Sequence, residues 1–271
     1  MNLRVGFIGG GNMAEAFIGT FINGQILLPS QVIVSDVSEE RIRYLSEKFG
    51  VKVSLKNIDV VTNCDVLFLA VKPQVLPSVL REISPVVSPA QILVSMAAGF
   101  PIRKIEEFVG DDKKVVRIMP NILVKVGHGV TAYCDNLRLL DEERRTVKEL
   151  LSQTGRVVDI DEKLFDAVTA VSGSSPAFFF VLIEAMCDGA VRLGLPRDKA
   201  KELVVETLIG SSIMAREENP SLLKDSVTSP AGTTIEGIAK LEEKGFRSSL
   251  IEALKSSFER SKEISKLIEE L

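Results

Sequence analysis

Near its N-terminus the chain sets an apolar run, Val5 to Ile8, directly against Gly9-Gly10-Gly11-Asn12-Met13-Ala14. The hexapeptide fits GxGxxA, and its place between a strand-like run and the start of a helix-like one matters more than the pattern itself. Gly9 suits a tight turn, Gly11 lets backbone N–H groups approach a pyrophosphate, and Ala14 allows a helix to lie close on a strand. The helix N-terminus then favours the anion. The expectation is a dinucleotide-binding turn in which Gly9, Gly10, Gly11, Asn12 and Met13 meet the cofactor. The competing expectation is a turn that serves structure alone.

Beyond the turn, the chain's periodicity supports the first expectation. Short β-branched runs recur at Arg4 to Ile8, Val32 to Ser35, Val66 to Ala70, Ile92 to Ser95 and Val115 to Ile118. Between them lie amphipathic stretches such as Ser38 to Phe49, where Ser38 can cap and Gly50 can close the helix. Strands alternating with helices predict an α/β, doubly wound parallel sheet of Rossmann type over residues 1–160. After Asp161 strand-like runs disappear. Pro176 to Leu193, closed by Gly194, and Arg197 to Glu217, ending before Pro220, predict an all-α domain over residues 161–271. Few charges break any face of Pro176 to Leu193, and a domain of that size cannot cover such a helix alone, so helix-to-helix dimerisation is expected.

Composition excludes several classes of function. The 271 residues carry a formal net charge of -4, with Lys and Arg spread along the chain rather than gathered into a basic tract, which argues against nucleic acid as a partner. The most apolar stretch, Ala177 to Ile183, is broken by Glu184 and too short for a bilayer, so no membrane is expected. Met1 to Leu3 leave no room for a leader before Val5. Cys64, Cys134 and Cys187 form no CxxC pair and predict buried free thiols in a cytoplasmic protein. His128, the single histidine, sits in the Gly-rich turn Val126-Gly127-His128-Gly129 and cannot by itself assemble a zinc site, so no metal is expected.

Asp36 ends the second strand run, where a carboxylate can accept from an adenosine ribose and repel a 2′-phosphate. That favours NADH, whereas Ser35, Ser38, Arg41 and Arg43 nearby could serve NADPH; Asp36 could also be a capping or turn residue. Both coenzymes stay open. Ala70-Val71-Lys72-Pro73 and Ala97-Ala98-Gly99 follow two further strand runs and are expected to line the cofactor. In the helical half, Leu223 to Glu236, with Ser226, Thr228, Ser229, Thr233 and Thr234, is the densest hydroxyl-bearing stretch and leads into a helix stopped at Gly245. Thr233-x-x-Glu236 predicts a capping box, and the same hydroxyls and free N–H groups could hold a substrate carboxylate. Reducing a C=N bond needs hydride at carbon and a donor at nitrogen, which Thr234 can supply without a strong acid if the imine enters protonated. Pro176 to Leu193 holds Glu184, Asp188 and Arg192 but no lysine, which counts against a hydroxyacid dehydrogenase with an interior Lys acid. Glu184 and Asp188 repel at i and i+4, so one of them is expected to find a partner.

These residues resemble pyrroline-5-carboxylate reductase along nearly the whole chain. The landmarks are Gly6 to Ala14, Phe68 to Gln74, Met119-Pro120-Asn121, Ser172-Gly173-Ser174, Leu193 to Pro196 and, most specific, Val227 to Thr234. The resemblance implies a Rossmann domain followed by a helical dimerisation domain, with dimers that often assemble into decamers and a site between protomers. It implies NADPH or NADH as cofactor and a small cyclic imine as substrate. By the same resemblance Ser229, Gly232, Thr233 and Thr234 bind substrate, Thr234 faces the ring nitrogen as the catalytic residue, and Asn57 joins the Ala70 to Pro73 and Ala97 to Gly99 loops at the nucleotide. Where the family usually has Gly and Tyr, this chain has Ser175 and Phe178; Ile122-Leu123 replaces the usual Thr-Pro after Met-Pro-Asn. Two other functions fit the same scaffold: reduction of a different small imine or keto acid, and nucleotide binding without turnover in an assembly protein.

Overall fold

The computed structural model describes residues 3–270. Met1 and Asn2, part of the leader expectation and the start of the first expected domain, and Leu271, the end of the second, lie outside the described residues. The described strands are β1 (Val5–Ile8), β2 (Val32–Ser35), β3 (Lys52–Ser54), β4 (Val66–Leu69), β5 (Ile92–Ser95), β6 (Lys114–Pro120), β7 (Gly129–Asp135) and β8 (Gly155–Asp159). The helices of the first half are α1 (Asn12–Asn23), α2 (Glu39–Phe49), α3 (Asn57–Val61), α4 (Leu76–Ile83), α5 (Ile102–Val109) and α6 (Asp141–Ser152). Those of the second are α7 (Phe165–Val168), α8 (Ser175–Arg192), α9 (Arg197–Met214), α10 (Pro220–Ser226), α11 (Thr233–Glu243) and α12 (Phe246–Glu269).

The strands form one sheet in the order β3-β2-β1-β4-β5-β6-β7-β8. All neighbours run parallel except β6 and β7, which pair antiparallel from Val116 opposite Asp135 to Pro120 opposite Thr131. Strand order reverses direction between β1 and β4, the switch point at whose carboxyl ends ligands bind in such sheets. β1, β4 and β5 are buried on both faces, which is why they read as unbroken apolar runs. One face packs Phe7, Phe17, Phe21 and Phe68, with the Phe7 and Phe68 rings stacked 4.8 Å apart. The other packs Ile8, Leu67, Leu69, Leu76, Leu80 and Ile105.

Three strands were not among the expected runs. β3 is a short edge strand with Lys52 exposed, β8 is the opposite edge with Arg156 exposed, and β7 interleaves polar residues with its apolar ones. β7 and β8 also meet at backbone level: Gly129 pairs with Gly155, whose φ is 137°.

Two compact units divide the chain. One takes the described residues up to Ser174 and those from Ser257 onward; the other is Ser175–Ser256. In the first unit, Ser261 and Ser265 on the returning end of α12 donate to Asp166 Oδ1 at 2.7 and 2.9 Å. Ile268 is buried on the sheet's second face. A Cβ on Gly99 (φ 72°) would stand 3.2 Å from Ser265 Cα, so the bare backbone there lets the helix approach. In the second unit α8 and α9 pack on each other, and Asp188 pairs with Arg197 at 2.8 Å, which answers the repulsion from Glu184. Both helices leave large apolar side chains in solvent, among them Phe179, Phe180, Val181, Leu203 and Ile213. The expectation that no stretch could cross a bilayer needs correction. The continuous helical run Glu162–Arg192 is long and apolar enough by length and composition, because Thr169–Ser174 winds as a π-helix and joins α7 to α8 without a break.

Candidate active site

At the end of β1 the chain turns sharply. Gly9, at φ 95°, donates its N–H to Ser35 O at 2.8 Å, and a Cβ there would lie 2.7 Å from Ala70 O. Only glycine combines that conformation with so close an approach of β4. Gly11 is the N-cap of α1, with extended backbone and no side chain accepting from the first-turn N–H groups. Nothing lies within 4 Å of where its Cβ would be. Free donors, open space and the positive end of a helix form a cradle for a pyrophosphate, so these residues fit a dinucleotide.

Asp36 stands beside that cradle. Its Oδ2 accepts from Gly10 N at 2.8 Å and its Oδ1 from Ser38 N at 3.0 Å, which pins the carboxylate against the glycine turn. Ser38 caps α2, accepting from Arg41 N at 3.2 Å. Arg41 then reaches back: Nε donates to Gly10 O at 2.5 Å, and Nη2 donates to Glu15 at 2.5 Å and to Gly11 O at 3.4 Å. Glu15 also accepts from Tyr44 Oη at 2.9 Å and Lys48 Nζ at 2.8 Å. Burial alone would raise the Glu15 carboxyl, but the Lys48, Arg41 and Tyr44 donors outweigh it and hold the group at about 2. Sequence reasoning missed Glu15, Tyr44 and Lys48. A signal existed, because positions 41, 44 and 48 lie on one face of α2 and Glu15 lies one turn into α1.

Asn57 opens α3 and is held from two sides, accepting from Ser35 Oγ at 2.8 Å and donating to Glu82 Oε2 at 2.7 Å. Ala70 to Pro73 leave β4 at its carboxyl end, with Lys72 exposed and the other three half-buried; Ala97 is buried and Ala98 half-buried after β5. Asn121 is buried, accepts from Leu123 N and Val130 N, and donates to Ser172 Oγ at 3.2 Å. Two of the singled-out motifs, Met119-Pro120-Asn121 and Ser172-Gly173-Ser174, thus meet directly, the second inside the π-helical turn, a form often found at functional sites. Cys64 and Cys187 are buried and Cys134 is half-buried, and burial pushes the Cys64 and Cys134 thiols up to about 12. His128 is exposed, and among the described residues no group of three His, Cys, Asp or Glu is placed to hold a metal ion.

In the helical unit the hydroxyl-rich loop joins α10 to α11. The expected capping box is absent: Gly232 is the N-cap, Thr233 takes the first helical position, and no side chain caps the helix. A box needs its hydroxyl at the N-cap, and here Gly232 holds that extended position after Ala231 at φ 57°. Ser229, Thr233 and Thr234 are exposed, whereas Thr228 Oγ1 donates to Lys224 O at 2.6 Å. A Cβ on Gly232 would strike Ser229 Oγ at 2.3 Å, so glycine there lets Ser229 fold over the helix start. The loop therefore presents hydroxyls and uncapped N–H groups together, a fit for a carboxylate.

Comparison with known proteins covers nearly the whole chain. Residues 162–264 match a family model described as pyrroline-5-carboxylate reductase dimerisation, and residues 4–99 one described as NADP oxidoreductase coenzyme F420-dependent. The pyrroline-5-carboxylate reductase of Methanosarcina acetivorans is 41% identical, with 98% of this chain and 99% of the relative covered. The Escherichia coli enzyme of the same name is 38% identical over 98% of this chain and all of its own. Among solved structures, Plasmodium falciparum pyrroline carboxylate reductase with NADP bound superposes with a TM-score of 0.90 at 32% identity, covering 97% of this chain and 98% of the other.

Proposed function

Because this chain belongs to the pyrroline-5-carboxylate reductase family, we propose that it reduces the C=N bond of pyrroline-5-carboxylate to give L-proline, the last step of proline biosynthesis, with NADPH or NADH as donor. The observation that carries this reading is that this chain, matched over nearly its full length by enzymes of that name, holds both an open glycine cradle at α1 and a hydroxyl-bearing loop at α11.

When bound, the nicotinamide cofactor supplies the hydride. Gly9, Gly10, Gly11, Asn12 and Met13 would cradle its pyrophosphate, Asp36 and Asn57 would hold the adenosine side, and the Ala70 to Pro73 and Ala97 to Gly99 loops would flank it. Ser229, Gly232, Thr233 and the N–H groups opening α11 hold the substrate carboxylate. With the imine entering protonated, the Thr234 hydroxyl would meet the ring nitrogen, which would keep its proton as hydride reached the carbon, so cation plus hydride gives the neutral amine. Orientation of imine against donor contributes most of the acceleration, a proximity effect of several kcal/mol.

The protein works as a homodimer on a small-molecule imine in the cytoplasm, with the dinucleotide held in the unit that carries the glycine turn and the dimerisation and substrate roles in the unit Ser175–Ser256. The exposed apolar faces of α8 and α9 suit a second copy rather than lipid, and the family resemblance extends this to assembly of dimers into a decamer. Purified protein mixed with pyrroline-5-carboxylate and each reduced coenzyme should consume nicotinamide absorbance and produce proline; no consumption with either defeats the proposal. Thr234→Ala should lower kcat roughly ten- to hundred-fold with coenzyme Kd unchanged, and undiminished turnover would clear Thr234 of any role.

A further inference from the structure

We infer that Asp36, with Arg41 locked away beside it, makes this chain select NADH over NADPH. The inference deepens the reductase reading above and rests on the same cradle. Asp36 stands where the second strand delivers a carboxylate to an adenosine ribose, and its two oxygens are aimed by Gly10 N and Ser38 N at 2.8 and 3.0 Å. Each oxygen keeps a lone pair for a ribose hydroxyl. A 2′-phosphate in that place would meet the carboxylate at close range, with Glu39 and Glu40 following in the first turn of α2.

A phosphate could still be accepted if a nearby cation turned toward it, and the structure shows where those cations are engaged. Arg41 gives Nε to Gly10 O and Nη2 to Glu15 and Gly11 O, and its guanidinium lies 5.0 Å from the Tyr44 ring centroid. Lys48 is bound to Glu15 and Tyr44 at 2.8 and 2.7 Å. Turning Arg41 outward would break charge-assisted bonds and leave Glu15, only 15% exposed at its side chain, short of a partner. Two neutral donors are engaged as well: Ser35 Oγ donates to Asn57 and Asn57 Nδ2 donates to Glu82, while the Ser38 oxygen caps α2 and its O–H stays exposed. Arg43 lies on another face of α2, in a groove with Glu39, Glu47 and Leu55, and Lys56 is exposed before α3. The local geometry thus offers a ribose an acceptor and offers a phosphate a repelling carboxylate.

The test is binding of each reduced coenzyme, followed by nicotinamide fluorescence with no imine present, so that failure of the catalytic proposal and failure of this one stay separate. Wild-type protein should bind NADH at least about tenfold tighter than NADPH, a gap of the size like-charge contacts impose. Asp36→Ser should shrink that ratio by about tenfold or reverse it. Arg41→Met should weaken both coenzymes through the glycine turn while leaving their ratio within about twofold, since an engaged guanidinium contributes nothing to phosphate. Should Arg41→Met fold poorly, Glu15→Gln is the second arm: it releases the guanidinium without deleting it, and NADPH affinity should rise several-fold relative to NADH. NADPH binding as tight as NADH in the wild type, a ratio that Asp36→Ser does not move, a selective loss of NADPH in Arg41→Met, or a ratio unmoved in Glu15→Gln would each overturn the inference.

Discussion

At Glu15 three side chains, those of Arg41, Tyr44 and Lys48, converge on one carboxylate, and that residue joins α1, α2 and the glycine turn. Lys48, Arg41 and Tyr44 hold its ionisation at about 2, below the ordinary 4.5. A carboxyl whose value is depressed on folding contributes stability above its unfolded value and loses it as pH falls toward the folded one. Wild-type protein should therefore lose this contribution between about pH 4.5 and pH 2. Glu15→Gln lacks it throughout, so the two urea-unfolding midpoints should differ at pH 7 and converge through that acid window. A difference that persists unchanged at the acid end would show that shape, and not charge, is what Glu15 provides. Only part of this was legible in the sequence: positions 41, 44 and 48 share one face of α2, but Glu15 is 26 residues from Arg41 and nothing local ties the two. Gly9, by contrast, was legible, since a strand followed at once by GxGxxA leaves few other backbone paths.

At the scale of elements, legibility followed burial. β1, β4 and β5 announce themselves as apolar runs because they are buried on both faces, and β2 and β6 because they are buried along most of their length. β3 and β8 are edges, and β7 is the antiparallel insertion, so each carries polar residues that hide its period. What fixes the β7–β8 pair is instead a backbone contact. A Cβ on Gly155 would sit 2.0 Å from Gly129 O, at a φ of 137° that disfavours L side chains. Gly155→Ala should cost about 2–5 kcal/mol from strain and overpacking together, and melt roughly 10 °C lower in a calorimetric scan. Gly127→Ala is the control: φ there is 71°, nothing lies within 4 Å, and the cost should stay near 1 kcal/mol. Equal losses in both variants would mean that the contact with Gly129 is not what makes glycine necessary. The missing box at α11 is the converse case, since Thr233-x-x-Glu236 matches the motif whether Thr233 is the N-cap or the residue after it.

For the whole molecule, the helical unit poses the physical problem and association solves it. Ser175–Ser256 is too short to bury α8 and α9 from every side, and it leaves Phe179, Phe180 and Val181 between 52% and 63% exposed. An uncovered apolar surface of that kind on a monomer would drive nonspecific aggregation, so a defined partner is the economical solution. The partner is a second copy, in keeping with the dimerisation model that matches residues 162–264. Sedimentation equilibrium should find a mass of at least twice the 29.6 kDa chain at micromolar concentration, and a melting temperature that rises with concentration. Phe180→Asp places a charge in the middle of that surface and should shift the protein toward the mass of one chain while the first unit keeps its coenzyme affinity. A wild-type protein that stays monomeric and melts independently of concentration would leave α8 and α9 bare in solution, and the cover would have to come from some other chain or from lipid.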